Sequence, residues 1–152
     1  MRRIACLIVS VALLAPLPVR AQSNLPPHAW LFGAWIGGLY PPPSTITAQE
    51  CLAQPVVIFT RDIVMRAIIT DTSYVQRLVE TARATGDGME FRFAAPVIPA
   101  SGPFGVNAGN NQEVGFGCIS PDVLRVQRRG ENEISFPGCA DFPYPLVRCP
   151  AR

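Results

Sequence analysis

Turn-forming residues interrupt this chain so often that little room remains for anything but short extended runs. Sixteen prolines and twelve glycines are spread through 152 residues. From residue 55 onward the runs between them are β-branched and aromatic: "VVIFT" at 56–60, "IVMRAII" at 63–69, "MEFRFA" at 89–94 and "EISF" at 133–136. Runs of this kind, bounded by Gly, Pro, Asn and Asp, predict strands. Gly86-Asp87-Gly88 and Gly130 to Asn132 each separate two such runs and read as hairpin turns. Residues 74–84, "YVQRLVETARA", fit two periods. Val75, Leu78, Val79 and Ala82 match one face of a helix, while Val75, Val79 and Thr81 share one side of a strand. The hairpin signal that follows favours the strand; a helix here would make the fold α+β. The pattern implies an all-β chain, an antiparallel meander of about six to eight strands.

The remaining segments are irregular. Residues 22–29, "QSNLPPHA", read as a flexible tail, and 41–50, "PPPSTITAQE", as a loop. Residues 95–117 are a Gly-, Pro- and Asn-rich excursion with Val97, Ile98, Phe104 and Phe116 as apolar anchors. Beyond Pro137 the chain is again irregular, with a short extended piece at "PLVRC".

Export is the second strong expectation. Arg2 and Arg3 precede the apolar run "IACLIVSVALL", and Val19 and Ala21 supply an A-x-A-like site, so residues 1–21 read as a signal peptide cleaved after Ala21. The run is shorter than the roughly 20 residues that a membrane-spanning helix needs. Cys6 lies too early for lipidation. Cleavage removes Arg2, Arg3 and Arg20 from thirteen arginines and leaves ten against eleven acids, with no lysine. No basic field then argues for nucleic acid, and no membrane span remains. Cys51, Cys118, Cys139 and Cys149 are an even set without a C-x-x-C spacing, which in an oxidising compartment means two disulfides. The expected address is periplasmic or secreted.

Catalytic chemistry finds little support. The single histidine, His28, falls in the tail, where an exposed side chain is expected, and a His-dependent nucleophile needs a rigidly held imidazole. Glu80, Glu90, Glu131 and Glu133 lie at turns or on strand faces where carboxylates are solvated. No metal-ligand spacing and no phosphate-binding glycine loop with its lysine occurs. No cofactor is implied. Arg66, Arg77, Arg83, Arg92 and Arg125 fall within predicted strands and are expected to face outward, in ladders with Glu80 and Glu90. Were some to face inward, they would suit an anionic ligand. Phe142 and Tyr144, stiffened by Pro143 and Pro145, form a second aromatic cluster, expected to cover a barrel end.

Gly33-x-Trp35, inside "LFGAWIGG" at the head of the meander, resembles the first-strand motif of lipocalins and the wider calycin group. The resemblance implies a closed barrel of about eight strands over residues 30–152, filled by side chains or holding one small ligand. In that group the tryptophan closes one barrel end under an arginine from a late strand; Arg125, Arg128 and Arg148 are the candidates. A barrel topology also suggests Cys118–Cys139 and Cys51–Cys149, against the rival Cys139–Cys149 with Cys51–Cys118. Calycin-like exported proteins include periplasmic protease inhibitors. The functions implied are a binding protein holding a small apolar or anionic ligand in the barrel mouth, a protein-interaction module such as an inhibitor, or a structural envelope protein. For a ligand, the candidate residues are Trp30, Trp35, Tyr40, Arg66, Arg77 and Arg125. The partner is an unknown small molecule or another exported protein.

Overall fold

A computed structural model describes residues 25–53, 56–67, 74–95 and 115–150. The expected signal segment and residues 96–114 of the long excursion, with Val97, Ile98 and Phe104, lie outside these.

Eight antiparallel strands close into a barrel in chain order. They are β1 (Gly33–Gly37), β2 (Val56–Phe59), β3 (Ile63–Ala67), β4 (Tyr74–Ala84), β5 (Gly88–Phe93), β6 (Val123–Arg128), β7 (Glu133–Ser135) and β8 (Leu146–Arg148). Closure is made by β1 against β8, with Trp35 opposite Arg148 and Gly37 opposite Leu146. The ambiguous segment 74–84 is a strand because both neighbours pair with it: β3 over Tyr74 to Leu78, β5 over Val79 to Ala84. A register shift between Val79 and Thr81 bends it.

The barrel has two unlike ends. At one end the chain turns tightly at Thr60–Asp62, Thr85–Asp87 and Arg129–Asn132. A 3-10 turn, Ala29–Leu31, lies there just before β1. Gly33, at φ +116°, lets the chain swing from that turn into β1 in a conformation that favours glycine. The other end, the mouth, receives the four long connections. Two of them are joined by the disulfide Cys118–Cys139 and by the bond from Ala140 N–H to the Gly117 carbonyl, 2.8 Å. The result is a cap of residues 115–121 and 137–145.

Residues 41–50, expected to be a loop, contain the start of a short helix, α1 (Ala48–Ala53). A capping box sets it: Thr47 N–H donates to Glu50 Oε2 at 2.8 Å, and Glu50 N–H donates to Thr47 Oγ1 at 3.3 Å. The helix lies beside β1, and Cys51 on it is bonded to Cys149 just after β8. Ile36, on the outer side of β1, is completely buried.

The core is the barrel interior. Trp35, Phe59, Val64, Met89, Phe91, Phe93, Leu124, Val126, Ile134 and Leu146 point inward and are buried. Phe116 and Phe136 complete the packing at the mouth, where rings of Phe93, Phe116, Phe136 and Phe142 meet at centroid separations of 5.1–6.2 Å. Among the described residues the interior is occupied by side chains.

Candidate functional site

The sequence-selected residues do not converge on one place. Trp35 is a buried plug at the tight-turn end, its Nε1–H donating to the Leu31 carbonyl at 2.8 Å. Of Arg125, Arg128 and Arg148, the guanidinium over its ring is that of Arg148, 4.4 Å from the centroid. Arg148 also donates to the carbonyls of Phe32, at 2.8 Å, and of Trp30. Burial first, and the charge of Arg128 second, hold its pKa below the ordinary arginine value. Trp30 is half-buried at the same end, with Arg128 over its ring at 5.1 Å. Tyr40 is 63% exposed after β1, on the mouth side.

Arg66 and Arg77 depart from the outward orientation expected of strand arginines. The register sets Arg66 opposite Val57 and Arg77 opposite Val64, on the interior face. Burial of a guanidinium needs hydrogen-bonded compensation, and the cap and the strand ends beside it supply it, except at Arg66 Nε, which has no partner among the described residues. Arg66 Nη1 donates to Asp141 Oδ2 at 2.5 Å. Arg77 donates to Asp122 Oδ1 at 2.5 Å and to the carbonyls of Pro121 and Ala94 at 3.1 and 3.3 Å, with its guanidinium over Phe93. These two arginines latch the cap to the barrel wall. Phe142 is half-buried against the core, as a ring covering a barrel end should be, but Tyr144, expected to do the same, is 43% exposed.

Arg125 and Arg92 do face outward. Glu90 lies between them, 3.1 Å from Arg125 Nε and 4.0 Å from Arg92 Nε, and Arg83 stands opposite Glu90 in the register. His28 is the other correction. It is buried, not exposed: Nε2 lies 2.9 Å from the Arg61 carbonyl and must carry the proton, and the ring sits edge-on to Phe32 and Phe91. Its Nδ1 has no hydrogen-bond partner among the described residues.

One surface was missed by sequence reasoning. Strands β2 and β3 carry apolar side chains on both faces. Val57, Phe59 and Val64 fill the interior, while Ile58, Ile63 and Met65 face out and are only half-buried. On β4 the outward neighbours are Leu78, opposite Ile63 and 56% exposed, and Tyr74, opposite Ala67 and 42% exposed. The exterior of β5 to β7, in contrast, presents Glu90, Arg92, Arg125, Gln127 and Glu133. An antiparallel barrel normally solvates its outer face with polar residues. The signal was present: "VVIF" and "IVM" do not alternate, and a strand with one core-facing side needs only every second residue to be apolar.

No family model, curated protein or solved structure matches this chain. The fold and surface therefore define the class on their own: a disulfide-stapled, eight-stranded antiparallel barrel whose interior, among the described residues, is filled by side chains, with an apolar flank on β2 to β4. No helix among the described residues is long and apolar enough to cross a membrane.

Proposed function

We propose that this is an exported protein-interaction module, released by cleavage after Ala21, that engages a partner protein through the outer face of β2 to β4. The packed interior carries the reading. A carrier needs an enclosed volume, and here Phe59, Phe91, Phe93, Phe116 and Phe136 occupy the space where a barrel ligand would sit. The apolar flank supplies a contact surface of the kind that marks partner sites. Two disulfides accord with an oxidising compartment. The calycin-like reading of Gly33-x-Trp35, a resemblance that includes protease inhibitors, accords with the Arg148–Trp35 stack.

The test is comparative capture from the exported fraction of the producing cell. Leu78→Glu and Tyr74→Glu should abolish retention of a partner that the native chain and Arg92→Glu, on the polar flank, both retain. A partner held equally by Leu78→Glu overturns the proposal. So does a small molecule found at one equivalent inside the barrel, located by shifted side-chain resonances of Phe91 and Phe116.

A further inference from the structure

The four arginines on the barrel's inner face differ in one respect. At the mouth, Arg66 and Arg77 each have an aspartate at 2.5 Å. At the tight-turn end, Arg128 and Arg148 lie close enough for one charge to act on the other, yet neither has a carboxylate within salt-bridge distance among the described residues. The ion pairs found there all belong to Arg66, Arg77, Arg92 and Arg125. Arg148 has only carbonyls and the Trp35 ring for partners. Arg128 has the Gly130 carbonyl, 3.2 Å from Nε, and the Trp30 ring. Neighbouring cations that lack a counter-charge repel each other and favour a bound anion.

Space for an anion is present beside Arg128, while Arg148 lines a different cleft. A cleft of about 470 Å³ opens between the β4–β5 and β6–β7 turns, lined by Trp30, Gly86, Asp87, Arg128, Arg129 and Gly130. Its volume falls in the range of small-molecule sites. Arg129 uses only Nε, on Ser135 Oγ at 3.0 Å. The terminal amino groups of Arg128 and Arg129 and the Trp30 indole N–H have no hydrogen-bond partner among the described residues. Asp87 also lines the cleft and keeps its negative charge there, with its oxygens turned to neutral partners: Oδ2 accepts from Gln127 Nε2 at 2.7 Å, and Oδ1 lies 3.4 Å from Thr85 Oγ1. Planar guanidinium groups with free paired N–H donors bind oxyanions in two-point fashion.

We infer that this cleft is a binding site for a small oxyanion, a carboxylate or a phosphate, gripped by Arg128 and Arg129 beside the Trp30 ring. It is separate from the apolar flank and does not depend on the role proposed for that flank.

The test is titration of the oxidised chain with inorganic phosphate and, separately, with benzoate at constant ionic strength, followed by amide and indole nitrogen–proton spectra. Saturable shifts are expected at Gly86, Gly88, Arg128, Arg129, Gly130 and the Trp30 indole, with Kd on the order of 1 mM. Saturation by phosphate alone identifies a tetrahedral oxyanion, by benzoate alone a carboxylate, and by both a site that reads charge. Arg128→Gln and Arg129→Gln should each weaken binding about tenfold. Arg125→Gln removes the same charge from the outer side of the same strand and should leave affinity unchanged. No saturation by either anion, or an equal loss in Arg125→Gln, overturns the inference.

Discussion

Arg77 and Arg125 carry the same side chain on strands of the same barrel and do opposite work. Arg77 is 2% exposed and tied to Asp122 and two carbonyls; Arg125 stands in solvent beside Glu90. Loss of Asp122 removes a charged acceptor from a buried cation, so Asp122→Ala should destabilise by about 1–3 kcal/mol. Glu90→Ala removes an acceptor from exposed arginines and should change stability by less than about 1 kcal/mol. Denaturant unfolding of both variants checks the contrast; equal losses would show that Arg77 is not a latch. Nothing in the local sequence distinguishes the two arginines. Alternation assigns charge to the outside, and the aspartates that make burial tolerable for Arg77 and Arg66 lie 45 and 75 residues further along the chain. Trp35, by contrast, was readable as an interior plug from Gly33-x-Trp35. Its indole N–H is satisfied by Leu31 four residues earlier. Trp35→Phe should cost about 1–3 kcal/mol, since it leaves the Leu31 carbonyl buried without that donor.

At the scale of the element, the β4–β5 hairpin shows how much turn chemistry reveals. Thr85 N–H donates to the Gly88 carbonyl at 2.9 Å, and the two glycines flanking Asp87 differ sharply in environment. A methyl group on Gly88 would lie 1.9 Å from the Val126 carbonyl oxygen, whereas one on Gly86 meets nothing within 4 Å. Gly88→Ala is therefore expected to cost about 2–4 kcal/mol and Gly86→Ala within about 0.5 kcal/mol of nothing, measured by thermal unfolding. Near-neutral behaviour of Gly88→Ala would mean that β5 and β6 do not approach so closely. The turn itself was legible, and it decided strand over helix for 74–84, where side-chain periodicity alone was divided. The same attention to spacing finds α1: Thr47 and Glu50 stand three apart, as a capping box requires, inside a stretch whose prolines argue for a loop. His28 was not legible. Its burial depends on Phe32, Phe91 and the Arg61 carbonyl, which only the closed barrel brings to the N-terminal segment.

For the whole molecule, the barrel was foreseeable and its asymmetry was not. An unbroken meander has few ways to bury its edges, and closure is the complete one. Which flank stays apolar on the outside depends on where the helix α1 and its approach lie, and they cover β1 without covering β4. The two disulfides act on different lengths of chain. Cys51–Cys149 spans 98 residues and Cys118–Cys139 spans 21. In the chain-entropy model these are worth about 4–5 and about 3 kcal/mol, so the Cys51→Ala/Cys149→Ala pair should lower the midpoint of unfolding more than Cys118→Ala/Cys139→Ala does. The reverse order would place the greater burden on the mouth cap.

The smaller bridge is nested inside the larger, and this gives the chain an unusual response to damage. Covalently, residues 51–149 form a ring. One cut in any peptide bond of that ring leaves both pieces attached, and the strands on either side of the cut still have their neighbours. A protease that nicks a turn would thus produce a molecule of unchanged size until a reductant is added, so wear on this protein is recorded in its peptide bonds without being expressed in its shape.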